Sequence, residues 1–239
     1  MTFSLLRSLA VALFVASVLP AHFTWVAPSP SRPSRGTAVS IEVGRGHVFP
    51  QSEILPPQHG LEIFAVTPAG KRVKLGASQA GLIWKAGHTL SEAGLYRICA
   101  VQDAIFSRTP QGMRAGGRDQ HPNAVRATKE YRSSIAFLGD PGQPGPLGLA
   151  FEAVPEVSGR TVTFTVLRDG KPFAGAQVNL AGPGLKEKSL GKSDAAGRFT
   201  YRHPGAGSFL LVVEASEKAP AGQPYDSTFF ASVLYFDLP

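Results

Sequence analysis

Thr161-Val162-Thr163-Phe164-Thr165-Val166-Leu167 alternates threonine with larger apolar side chains, and Asp169-Gly170-Lys171-Pro172 then turns the chain into Ala176 to Leu180 (AQVNL). A period of two places one set of side chains on one face of a strand and the other set on the opposite face, a pattern that no helix produces. The same punctuation continues outward. Leu147 to Val154 precedes it; Asp194-Ala195-Ala196-Gly197 turns into Arg198 to Tyr201; Pro204-Gly205-Ala206-Gly207 leads to Ser208 to Glu214 (SFLLVVE); and Thr228 to Leu238 closes the chain with an aromatic-rich run. Short strands with turn signals at roughly ten-residue spacing predict an immunoglobulin-like or prealbumin-like β-sandwich.

Upstream, Gly139-Asp140-Pro141-Gly142-Gln143-Pro144-Gly145-Pro146 holds neither regular element, because prolines remove donors and glycines remove stiffness. It reads as a boundary, which divides the chain into residues 22–138, a linker at 139–146 and residues 147–239. The N-terminal segment reads as another sandwich. Thr37 to Val43 alternates and runs into Gly44-Arg45-Gly46-His47-Val48-Phe49-Pro50, whose glycines permit a sharp or bulged exit. Leu61 to Val66 and Lys71 to Leu75 flank the turn Thr67-Pro68-Ala69-Gly70, and Gly81 to Lys85 and Gly94 to Val101 add strands. Ala104 to Gln120 lacks hydrophobic periodicity and reads as a long loop, His121 to Tyr131 as a short helix, and Ile135 to Leu138 as a strand. The fold class expected is all-β, two β-sandwich domains.

The first 21 residues read as a signal peptide: Arg7 gives a positive start, Leu9 to Leu19 an apolar core and Pro20-Ala21 a small-residue end. The apolar run is shorter than the roughly 20 residues a transmembrane helix needs, so the mature chain is expected to be periplasmic or secreted and not membrane-spanning. Cleavage after Ala21 or after Ser17 fits the pattern. The chain of 239 residues carries a formal net charge of +7, with much of the excess between Arg108 and Arg132. In an exported chain that charge points to a solvated surface or to anionic envelope components, not to nucleic acid. The single cysteine, Cys99, lies in an alternating strand pattern and reads as a small buried hydrophobe with no disulfide partner.

Cleavage after Ala21 makes His22 the first mature residue, in the stretch His22-Phe23-Thr24-Trp25. A terminal histidine offers its α-amine and Nδ1 to one ion, closing a six-membered ring that an internal histidine cannot form. Copper, nickel and zinc accept such nitrogens. His47 lies just past the first strand, so a terminal segment doubling back along that strand brings the two histidines together. His59, His88 and His203 sit in loops and at strand ends and read as surface residues; Trp25 and Trp84 read as core anchors.

The string RDGKPFAGAQVNL, followed by KSDAAGRFTYRHPGAGSFLLVVEA and STFFASVLYFDL, resembles the carboxypeptidase-regulatory-like β-sandwich. Taken with AHFTWVAP and GRGHVFP, nearly the whole mature chain resembles a periplasmic family linked to nickel and cobalt uptake, the nickel-uptake substrate-specific domain family. The resemblance implies a non-enzymatic metal-binding protein of nickel or cobalt uptake, with a membrane metal transporter as the expected partner, while the nitrogen donors make copper the competing ion. It implies His22 and His47 as ligands. The strand in which nickel-linked members carry a further histidine reads here Lys129-Glu130-Tyr131-Arg132-Ser133-Ser134, and His121 or Asp119 is the nearby substitute for a third ligand.

Rival chemistries find little in the chain. There is no Gly-x-Ser-x-Gly elbow, no His-Glu-x-x-His helix, and the Gly44-x-Gly46 pair is not followed by a helix. A copper carrier or copper oxygenase with a histidine brace built on His22 and His47 is one alternative. A binding or scaffolding module without metal is the other.

Overall fold

The computed structural model describes residues 22–139 and 142–238. The signal peptide expected over 1–21 therefore lies outside the described residues, as do Asp140 and Pro141. Every regular element described is a strand. In chain order these are β1 (Phe23–Ser29), β2 (Ala38–Gly46), β3 (Leu61–Val66), β4 (Arg72–Lys74), β5 (Ala77–Ala80), β6 (Ile83–Thr89), β7 (Leu95–Thr109), β8 (Gly112–Ala115) and β9 (Arg126–Gly139). After the Pro/Gly stretch come β10 (Phe151–Ser158), β11 (Thr161–Arg168), β12 (Lys171–Pro172), β13 (Gln177–Gly182), β14 (Leu185–Lys192), β15 (Arg198–Arg202), β16 (Gly207–Lys218) and β17 (Ser227–Leu238).

The strands form three layers. A nine-stranded central sheet runs β14-β13-β16-β17-β9-β7-β3-β4, with β8 added to the far half of β7. One face is covered by the N-terminal sheet β1-β2-β6-β5, and the other by β10-β11-β12 with β15 on β11. Alternation sorts the side chains between two cores. Leu210 and Val212 of β16, Ile98 and Ala100 of β7 and Ala136 and Leu138 of β9 meet Phe23, Trp25 and Ile41 under the N-terminal cover. Phe209, Leu211, Val213, Cys99 and Ile135 meet Phe151, Phe164 and Val166 under the C-terminal cover. A strand buried on both faces needs apolar residues at consecutive positions, which is why β16 reads as the unbroken run Phe209 to Val213. Cys99 is fully buried and its thiol is pushed up to about 12 by burial, as a small hydrophobe should be.

Three sequence expectations need correction. The stretch 139–146 does not divide the chain into sandwiches with separate sheets: β17 pairs in parallel with β9, from Ser227 opposite Thr128 to Tyr235 opposite Ala136, so both halves of the chain build the central sheet. Gly145 is itself tied to β7, its carbonyl accepting from Arg97 Nη1 at 2.6 Å. The helix expected over His121 to Tyr131 is absent; Arg126 onward is β9, paired on both sides. The long loop expected from Ala104 is the outer half of β7 turning into β8, whose four residues are all exposed, so no buried face imposes a period on the sequence.

Candidate metal centre

β1 and β2 pair antiparallel with Phe23 opposite Gly46, which puts His22 and His47 at the next rung, opposite each other. The flanking aromatics hold that end. Phe23 and Trp25 are fully buried, and Phe49 meets Trp25 edge to face at 5.4 Å and Tyr235 at 6.0 Å. Gly44 sits under the Trp25 ring, where a Cβ would collide with the indole. The glycine there serves close packing, and β2 runs straight through to Gly46 with no bulged exit.

Past His47 the chain turns tightly, Gln51 N donating to Val48 O at 2.8 Å, and comes back along β2. Glu53 N and Ile54 N both donate to Arg45 O, at 2.9 and 3.2 Å, and Arg45 N donates to Ser52 Oγ at 2.9 Å. Ser52 Oγ in turn donates to Leu82 O at 2.7 Å, which fastens the turn to the start of β6. The return stroke carries Glu53 to the histidine pair. His22 Nε2 lies 3.2 Å from Glu53 Oε2, His47 Nδ1 lies 2.8 Å from the same oxygen, and the imidazole centroids are 3.9 Å apart with planes tilted by 42°. The His47 amide also donates to Glu53 Oε1 at 3.2 Å.

One donor atom from each of His22, His47 and Glu53 falls within 4.8 Å of the others. Ligands about 2.1 Å from a tetrahedral ion stand roughly 3.4 Å from one another, so the trio needs only a small adjustment to close on one. Its electrostatics favour ligation near neutral pH. Burial first, then the neighbouring His47, lowers the pKa of His22 against the pull of Glu53, which favours the neutral imidazole that a metal ligand needs. The hydrogen bonds from His47 lower the pKa of Glu53 and keep it ionised. Two imidazoles and a carboxylate suit a first-row transition ion and fit poorly with calcium or magnesium, which take oxygen. As placed, His22 turns Nε2 toward the cluster; the ring that chelates together with a terminal amine uses Nδ1, and a half-turn about the Cβ–Cγ bond exchanges the two.

Beneath the trio, between the layers, lie three charged side chains that sequence reading passed over. Arg132 of β9, 6% exposed, donates from Nε to Glu130 Oε2 at 2.6 Å and from Nη1 to the carbonyl of His22 at 3.1 Å. Arg45 Nη2 lies 3.7 Å from Glu130 Oε2. Burial raises the Glu130 carboxyl, but the charge and hydrogen bond of Arg132, aided by Arg45, outweigh it and bring its pKa below the ordinary value. Burial and the repulsion of Arg132 pull Arg45 down to about 10, still protonated at neutral pH. Farther along the same face, Glu214 is pushed up to about 7, by burial first and then by Glu187.

His121 does not join the cluster. Its Nε2 lies 2.7 Å from Ala115 O, at the β8 hairpin, and Glu53 occupies the third position expected of it. His203 stacks on Phe209 at 4.3 Å, His88 lies 5.7 Å from Tyr96, and His59 meets Phe106 edge-on at 6.1 Å. The one sequence signal for Glu53 was an acid a short turn beyond a Gly-His-Val-Phe-Pro exit, which only the observed reversal makes meaningful.

The chain matches, over residues 19–217, the family described as a domain of unknown function, DUF4198. No curated protein matches it. Among solved structures, the crystal structure of a DUF4785 family protein from Legionella pneumophila is similar at 12% identity with a TM-score of 0.31, a match covering 79% of this chain and 50% of that one. The chain thus spans about half the length of that protein. No helix among the described residues is long and apolar enough to cross a membrane.

Proposed function

The chain belongs to the DUF4198 family, whose description assigns no activity, and we propose from its own residues that it is an exported protein that binds one transition-metal ion. The observation that carries this reading is the convergence of one donor atom from each of His22, His47 and Glu53 within 4.8 Å, with His22 Nε2 and His47 Nδ1 at 3.2 and 2.8 Å from Glu53 Oε2. The three belong to the end of one strand pair and its returning turn, and they are backed by buried aromatics, so the donors are held before the ion arrives. Side-chain exposures of 34%, 36% and 40% leave the face open for an ion to enter and leave, which suits a carrier. Nickel is the ion proposed, with copper and cobalt as competitors for the same nitrogens, and metal uptake or handling in the periplasm is the proposed setting, with a membrane transporter to receive the ion. Cleavage after Ala21 adds the α-amine of His22 to the donors, and the rotated ring then completes a chelate.

The test is titration of the exported protein with Ni(II), Co(II) and Cu(II), followed by calorimetry and visible absorption. One equivalent should bind, and His47→Ala should remove the site while His203→Ala keeps it. A parent protein that takes up no ion, or a His47→Ala variant that binds as well, contradicts the proposal and leaves a binding or scaffolding module without metal.

A further inference from the structure

Two arms make the metal centre, and one buried group reaches both. His22 arrives on β1 and Glu53 on the turn after β2. Arg132 donates to the backbone carbonyl of His22 at 3.1 Å, fixing the direction of the arm one bond from the ligand residue's own Cα. Glu53 hangs from the carbonyl of Arg45 through its amide at 2.9 Å, while the Arg45 guanidinium lies 3.7 Å from Glu130. Glu130 therefore sits between the arms, binding Arg132 at 2.6 Å on one side and Arg45 on the other. The stack is completed by Phe229, whose ring lies 4.5 Å from the Arg132 guanidinium carbon.

A buried group of this kind rarely offsets its own desolvation. Two arginines and one glutamate also leave an excess positive charge beneath a site read as binding a cation, so the group does not attract the ion. What it supplies is geometry: a planar fork with donors fixed in two directions, one on the carboxylate and one on the His22 carbonyl. We propose that Arg132 and Glu130 are positioning residues of the metal centre, setting the His22 arm and the Glu53 turn at the separation at which their donors converge. The inference rests on the metal-binding reading for its affinity readout, and it has a second readout that does not need the metal.

The experiment takes the exported protein, Arg132→Gln, Glu130→Gln and Arg132→Lys, with Arg168→Gln as a control that removes the ion pair to Glu217 on the opposite side of the central sheet. Arg132→Lys keeps the charge facing Glu130 and so guards against simple failure to fold, yet its single ammonium replaces the fork. Ni(II) titration should show affinity about ten- to a hundredfold weaker in Arg132→Gln and Glu130→Gln, the range typical of lost outer-shell partners, and about tenfold weaker in Arg132→Lys. The ligand-field absorption should shift in these three and not in the control. In metal-free protein, amide hydrogen exchange at Phe23 and Thr24 should speed up in the same three variants. Folded variants with parental Ni(II) affinity and spectrum overturn the proposal, as does an affinity loss that Arg168→Gln reproduces. Should the parent bind no Ni(II), the metal-binding reading fails by itself, and unchanged exchange at Phe23 and Thr24 then overturns the positioning role while faster exchange supports it.

Discussion

The two covers of the central sheet are built to different standards. Under the C-terminal cover, Phe164 stacks on Phe199, Phe209 on Phe236, and Phe151 packs against Phe230. Its buried carboxylate, Glu152, takes hydrogen bonds from the amides of Leu147, Gly148 and Leu149. Under the N-terminal cover the centre is equally apolar, but polar groups are left unpaired. Among the described residues, six buried side-chain atoms have no hydrogen-bond partner, on Trp25, Arg45, Thr67, His88, Ser134 and Glu214. Trp25, Arg45 and His88 belong to the N-terminal cover, and Ser134 and Glu214 stand on central-sheet rungs that face it, while Thr67 lies in the turn after β3. An unpaired buried polar group costs about 1–3 kcal/mol, so a fold that gathers most of them on one side gives up stability beside the face proposed to bind metal.

That contrast can be broken by mutation. The largest effect expected is in the closed interface: Phe164→Ala should lower stability to urea by about 3–5 kcal/mol and leave ion affinity in the surviving folded fraction unchanged. Next comes Glu214. Its folded pKa of about 7 lies above the ordinary 4.5, so between those values the folded state holds a proton that the unfolded chain has lost. Stability should therefore fall as pH rises from about 4.5 to about 7 and then level, a span worth roughly 3 kcal/mol at 1.36 kcal/mol per pH unit. Urea midpoints of Glu214→Gln measured across that range should lack this slope. Glu152→Gln should cost about 1–3 kcal/mol by weakening its bonds to the amides of Leu147, Gly148 and Leu149.

Much of this architecture was legible because it was local. Thr161 to Leu167 and Ser208 to Glu214 gave their strands through alternation and continuous apolarity, and Thr67 to Gly70 gave its hairpin through Pro and Gly. The parallel pairing of β17 with β9 was not, since nothing local reports a partner about a hundred residues away. Without that pairing, Ala124-Val125-Arg126-Ala127-Thr128-Lys129-Glu130-Tyr131 passes for a helix, and Glu130 and Arg132 pass for surface charges. Of the site, His22 and His47 were suggested as a pair by the family resemblance and by a terminal segment doubling back along the first strand; Glu53 depended on the turn folding back onto Arg45.

A smaller effect sharpens the view of the shared sheet. Because both halves build the central sheet, calorimetry should give one unfolding transition, with calorimetric and van't Hoff enthalpies agreeing. Two separated transitions would restore the picture of independent sandwiches on either side of 139–146.

The most direct measurement of the central claim is X-ray absorption at the nickel edge on exported protein loaded with one equivalent of Ni(II). Two imidazole nitrogens together with a carboxylate oxygen are expected around the nickel at about 2.0–2.2 Å, with one imidazole fewer in His47→Ala. A shell without imidazole, or one that His47→Ala and Glu53→Gln leave unaltered, would contradict it.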